Sequence, residues 1–164
     1  MVKEINGIAV IGIGNTLMKD EGVGVHIVNA LIKNYRFSPE IELIDGGTAG
    51  MELLQFFQDN EKIIIIDAVN FDEQPGFIGS IENDDILQRL NNKLSMHHLG
   101  ITDVLSSLQL TGGKANEIFL LGIQPKSLEL GMELTDDIAQ KTDKMIGIIL
   151  QKLEEWGVKA EGKN

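Results

Sequence analysis

Cysteine is absent from this chain, and that absence removes thiol nucleophiles, disulfides and thiolate zinc sites together. A metal engaged here has to be met by carboxylate and imidazole. No run of about 18 apolar residues is present to span a bilayer. The first residues, Met1-Val-Lys-Glu-Ile5, also lack the basic segment and apolar stretch of a secretory leader. Both absences point to a cytoplasmic protein with no membrane insertion. Basic charge is scarce too, with 14 Lys and Arg against 25 Asp and Glu and a formal net charge of -11. Such a surface repels a phosphate backbone and an anionic lipid face, so neither nucleic acid nor membrane is expected as a partner.

Familiar hydrolase signatures are missing as well. The sequence holds no His-Glu-x-x-His, no Gly-x-Ser-x-Gly and no Asp-Thr-Gly or Asp-Ser-Gly, which disfavours a zincin, a serine hydrolase and a pepsin-like aspartic protease. Nor is there an internal repeat or a low-complexity block.

What is present is a strand-helix alternation over 164 residues, enough for one core and too short for two comfortable domains. Ile8–Ile13, Ile41–Ile44, Ile63–Ile66 and Ile118–Ile123 are short, nearly continuous apolar runs rich in β-branched residues, the pattern of strands buried on both faces. Phe77–Ile81, entered through Pro75-Gly76, alternates weakly and suits an antiparallel edge strand. Helical spacing follows Val23 as far as Tyr35, Ala49 to Gln58 behind a cap at Thr48, and Asp103 to Leu110 behind Thr102. A last helix begins after Thr135 and stops at Gly157, turning Ile138, Met145, Ile149, Leu153 and Trp156 inward. The pattern predicts an α/β fold, a three-layer α/β/α sandwich around a central, mostly parallel sheet of about five strands. Residues 1–158 form its single domain, with 159–164 as a frayed tail.

In such sheets ligands collect beyond the carboxyl ends of the strands. Glu21, Asp45 and Asp67 should reach that edge, and His97 lies in a polar connection able to join it. Two carboxylates and an imidazole make an incomplete oxygen and nitrogen shell, open to a substrate or water. Each also has a plainer explanation. Glu21 and Asp20 suit the first turn of a helix, Asp45-Gly-Gly-Thr48 suits a strand-to-helix turn, and Asp67 suits a turn cap. His97 and His98 are adjacent and cannot point the same way from regular structure. The Gly12-x-Gly14 loop opens like a dinucleotide fingerprint, with Asp45 placed as a ribose-binding acid. Leu17 in place of the third glycine, and Asp20 and Glu21 where a pyrophosphate needs bare amides, oppose a nucleotide-binding module.

Five segments together resemble the nickel-iron hydrogenase maturation endopeptidases. They are Gly12-x-Gly-Asn-x-Leu-x-x-Asp-Glu-Gly-x-Gly24, Asp45-Gly-Gly-Thr-Ala-Gly-Met-Glu-Leu-Leu54, Ile65-Ile-Asp-Ala68, Ser95-x-His-x-Leu-Gly-x-x-Asp-Val-Leu105 and Leu121-Gly-Ile-Gln-Pro-x-Ser-Leu-Glu129. The second and fourth are similar to the branch serving uptake or membrane-bound hydrogenases. The resemblance implies an endopeptidase that removes a C-terminal extension from the nickel-loaded precursor of the hydrogenase large subunit. It implies Glu21, Asp67 and His97 as the metal-engaging residues, with nickel arriving in the precursor. Met96 and His98 replace the proline and glutamine that often flank the family's histidine, so His98 competes with His97 as the ligand. Asp67, Glu21 and Asp45 are the catalytic candidates, with Asp20 or Asp45 as proton acceptor. A noncatalytic assembly factor that senses nickel through the same residues is the alternative.

Overall fold

The computed structural model describes residues 7–91 and 99–164. The predicted strands form β1 (Ile8–Ile13), β3 (Glu42–Gly47), β4 (Lys62–Ala68), β5 (Ile78–Glu82) and β6 (Glu117–Ile123). These five make one sheet in the order β3-β1-β4-β6-β5, with parallel pairing throughout except between β5 and β6. β4 lies at the centre because its four isoleucines leave no polar face, and Ile63, Ile64, Ile65 and Ile66 are all fully buried. Burying such a side chain contributes roughly 1.5–3 kcal/mol, so this strand anchors both layers.

Two cores follow from the alternation of side chains across the sheet. On one face Val10, Ile64 and Ile66 pack against α1 (Val23–Asn34) and α6 (Thr142–Glu155). On the other, Ile11, Ile63 and Ile65 pack against α2 (Leu54–Asp59), α3 (Asp84–Asn91) and α4 (Leu99–Thr111). The expected three-layer sandwich is the one found. No helix among the described residues is long and apolar enough to cross a membrane.

Several boundaries differ from the sequence pattern, each for a local reason. Tyr35 leaves the helix with φ −131 and ψ 150 and starts β2 (Tyr35–Ser38). The second helix begins as a 3-10 turn at Met51–Leu53 without a Thr48 cap, and Thr102 lies inside α4 rather than ahead of it. The helix after Thr135 is two pieces, α5 (Asp136–Ala139) and α6, and α3 had no counterpart in the pattern. Lys159–Gly162, expected as part of a frayed tail, is strand β7, paired antiparallel with β2. All its side chains are exposed, so backbone pairing rather than burial holds it, and hydropathy carries no trace of that.

Candidate functional site

The strand order reverses at β1. From β1 the chain crosses through α1 to β3 on one side, and through α2 it returns past β1 to β4 on the other. The carboxyl ends of β1 and β4 flank this switch point, where an α/β sheet opens a crevice. β1 leads into Glu21 and β4 ends at Asp67-Ala68.

The glycines of the first loop are used up in closing this corner. A Cβ on Gly12 would stand 2.1 Å from the Gly24 carbonyl oxygen, and one on Gly14, whose φ is +130, would stand 1.8 Å from that of Glu21. A Cβ on Gly24 would stand 2.1 Å from the Ile66 oxygen and 2.6 Å from the Ile13 oxygen. The start of α1 therefore rests directly on the ends of both strands, three residues past Glu21 and one residue before Asp67. Close backbone packing accounts for the glycine spacing without a nucleotide. Glu21 itself lies in the 3-10 turn Lys19–Gly22 and is half-buried.

Asp67 continues the alternation of Ile63 and Ile65 and so belongs to the α2, α3 and α4 face of the sheet. Its side chain is 1% exposed, and its Oδ1 accepts the Ala68 N–H at 2.8 Å. It pairs across β6 with Gly122, where a Cβ would meet Val69 at 2.7 Å and Phe71 at 2.9 Å. Gly122 thus makes room for the chain leaving Asp67.

Asp45 reaches the same edge and takes the other face. It and Ile66 are both partners of Gly12, one on each side. Its Oδ2 lies 3.5 Å from Asn29 Nδ2 on α1, and its Oδ1 accepts the Gly47 N–H at 3.1 Å. Exposed and turned toward α1, it is not grouped with Asp67. The sheet pleat separates two acids that sequence alone set together.

Asp20 also departs from expectation. It is fully buried, and its carboxylate accepts the Lys126 and Ser127 N–H groups at 3.0 Å each and the Thr135 N–H and hydroxyl at 2.8 Å each. With four donors directed at it, the carboxylate clamps this segment. Gln124, two residues before that clamp, holds the segment after Asp67. Its Oε1 accepts the Phe71 N–H at 2.6 Å, and its Nε2 donates to Asn70 Oδ1 at 3.3 Å. The segment from Gln124 to Thr135 therefore ties the Glu21 turn to the Asp67 loop. Neither role is legible in the sequence, although Gln124-Pro-x-Ser127 lies inside one of the five segments that carry the resemblance.

His97 and His98 lie outside the described residues. Among the described residues, no group of three His, Cys, Asp or Glu side chains is placed to hold a metal. Glu21 and Asp67 supply two carboxylates at one edge, hard donors that suit a nitrogen and oxygen shell completed from elsewhere. A cavity of about 220 Å³ between Asn83, Leu87, Leu108 and Ile118 lies at the opposite edge, by the start of β6. It does not include these carboxylates.

Comparison with known proteins covers nearly the whole chain. Residues 25–152 match the family model described as hydrogenase maturation protease. The chain is 39% identical over 154 residues to the hydrogenase 2 maturation protease of Escherichia coli, covering 93% of this chain and 94% of that one. It is 35% identical over 153 residues to the hydrogenase expression/formation protein HupD of Rhodobacter capsulatus, covering 92% and 73%. Superposed on the hydrogenase maturating endopeptidase HybD from E. coli, it gives a TM-score of 0.90 at 38% identity, over 95% of this chain and 97% of that one.

Proposed function

The chain belongs to the hydrogenase maturation protease family, and from that premise we propose that it is the endopeptidase that cuts the C-terminal extension from the nickel-loaded precursor of a nickel-iron hydrogenase large subunit. In this reading nickel is part of the substrate, already held by the precursor. Glu21, Asp67 and His97 engage it and so fix the scissile bond in register. Orientation of this kind can supply several kcal/mol toward a hydrolytic barrier. A metal so held also polarises a carbonyl or acidifies a water.

One observation carries the proposal. A carboxylate that is 1% exposed ends the central strand at the switch point, and the turn bearing Glu21 is packed against that same strand end through Gly24. Burying a carboxylate at a sheet edge costs free energy, and buried ionisable groups in a crevice of this kind gather at functional sites. Asp45, on the α1 face, is assigned contact with the substrate at the rim rather than proton transfer beside Asp67.

The test is the intact mass of a cognate large-subunit precursor, with and without nickel, after incubation with the wild type and with Asp67→Asn. Nickel-dependent loss of a C-terminal peptide with the wild type only is expected. An unchanged mass in a confirmed complex would replace the endopeptidase with the noncatalytic nickel-sensing factor.

A further inference from the structure

Beside Glu21, two loops present large apolar side chains to solvent. Leu17 is 55% exposed on the β1 exit, and Leu128, Leu130 and Met132 are 45%, 80% and 71% exposed on the segment between β6 and α5. The two loops are joined. Met18 bridges Gly131 in parallel register, the Lys19 N–H donates to the Gly131 oxygen at 2.8 Å, and the Gly131 N–H donates to the Leu17 oxygen at 2.9 Å. The bridge brings the loop bearing Leu17 alongside the loop bearing Leu130 and Met132.

Connecting loops are ordinarily polar, and an apolar patch on a surface marks a contact. These loops are also fixed in advance. The buried Asp20 carboxylate holds Lys126 and Ser127 at one end of the segment and Thr135 at the other. A patch on a backbone already ordered loses little entropy on binding. Its rim is acidic on balance: Lys126 is paired with Asp137 at 3.2 Å and Lys19 with Glu129 at 3.8 Å, which leaves Glu133 exposed.

We propose that this patch docks the precursor substrate, through an apolar segment of the precursor flanked by lysine or arginine; the inference rests on the endopeptidase reading above. A protein that brings its scissile bond to Glu21 must cover residues 17–19, so the patch is continuous with the ground the substrate occupies. The acidic rim and the net charge of -11 repel a second copy of this chain and an anionic membrane, and they attract a basic flank.

The experiment is steady-state processing of the nickel-loaded precursor by the wild type, by Leu130→Ser, by the combined Leu17→Ser, Leu130→Ser and Met132→Ser variant, and by Glu129→Lys, with sedimentation of each. All four positions are exposed, and the single variant serves if the combined one fails to fold. The combined variant should raise KM by about tenfold or more with kcat within about twofold. Leu130→Ser and Glu129→Lys should raise KM less and in the same direction. Unchanged KM in every variant, while the wild type processes the precursor, overturns the docking surface. A dimer of the wild type that dissociates in the variants with KM unchanged overturns it in favour of self-association. A wild type that never shortens the precursor overturns the endopeptidase reading, and the docking inference with it.

Discussion

Thr135 donates its backbone N–H to Asp20 Oδ1 at 2.8 Å and its hydroxyl to Asp20 Oδ2 at 2.8 Å, across 115 positions of sequence. This contact closes the segment after β6 onto the turn that carries Glu21. The fold thereby fixes one wall of the candidate site with a charge it keeps out of water.

Removing that charge should be costly. Asp20→Ala strands three partly buried N–H groups, of Lys126, Ser127 and Thr135, and the expected loss is about 3 kcal/mol. Thr135→Val removes one hydroxyl and leaves the carboxylate its three N–H donors, so about 1–2 kcal/mol is expected. Urea denaturation measures both, with the midpoint moving and the slope constant. An Asp20→Ala variant within about 0.5 kcal/mol of the wild type would show that the clamp is not holding the loop.

Why the sheet was legible and the clamp was not is a matter of where information sits. Strands β1, β4 and β6 are buried on both faces, so their environment is written as unbroken apolar runs such as Ile63–Ile66. Asp67 stood out because it interrupts that run. Strand β7 left no mark, since its pairing with β2 uses only backbone groups and its side chains are all exposed. Asp20 and Gln124 act on backbone N–H groups distant in sequence, and every residue but proline carries such a donor. Asp45 is a different case. Its strand end was legible, but the face it takes depends on the pairing of Gly12 with both Asp45 and Ile66.

Glycine content makes a paired prediction. At Gly24 an added Cβ would overlap the Ile66 and Ile13 oxygens, both backbone atoms that cannot step aside. Gly24→Ala should therefore lift the start of α1 from the sheet, lowering stability by roughly 1–3 kcal/mol and abolishing processing. At Gly147, within α6, an added Cβ meets nothing within 4 Å. Gly147→Ala should raise stability by about 0.5–1 kcal/mol with processing unchanged. Thermal midpoints of the two variants, measured together, decide the matter. A tolerated Gly24→Ala would contradict the close packing of α1 on β4.

Asp67→Asn keeps the shape of the side chain and an oxygen able to accept the Ala68 N–H. The substitution removes the charge, which in the proposed reaction engages the precursor's metal. Processing should fall by a factor of about 100 or more while the thermal midpoint moves by only a few degrees. Near wild-type processing by a folded Asp67→Asn would remove this residue from the reaction.

Gln124 offers a sharper distinction between support and general stability. Its Oε1 accepts the Phe71 N–H at 2.6 Å, four residues beyond Asp67, and its Nε2 donates to Asn70 Oδ1 at 3.3 Å. Gln124→Ala loses both contacts and leaves the Asp67 loop less well fixed, so kcat should fall by about tenfold with KM little changed. Gln124→Glu keeps an acceptor for the Phe71 N–H and loses only the donor to Asn70. If the residue acts by holding that loop, Gln124→Glu should restore most of the kcat lost in Gln124→Ala. A merely space-filling role predicts that Gln124→Met, which conserves volume and has no comparable acceptor, rescues as well as Gln124→Glu does. Measuring kcat for the three variants on one precursor separates the two roles, and equal rescue by Met and Glu would rule out the hydrogen bond as the cause.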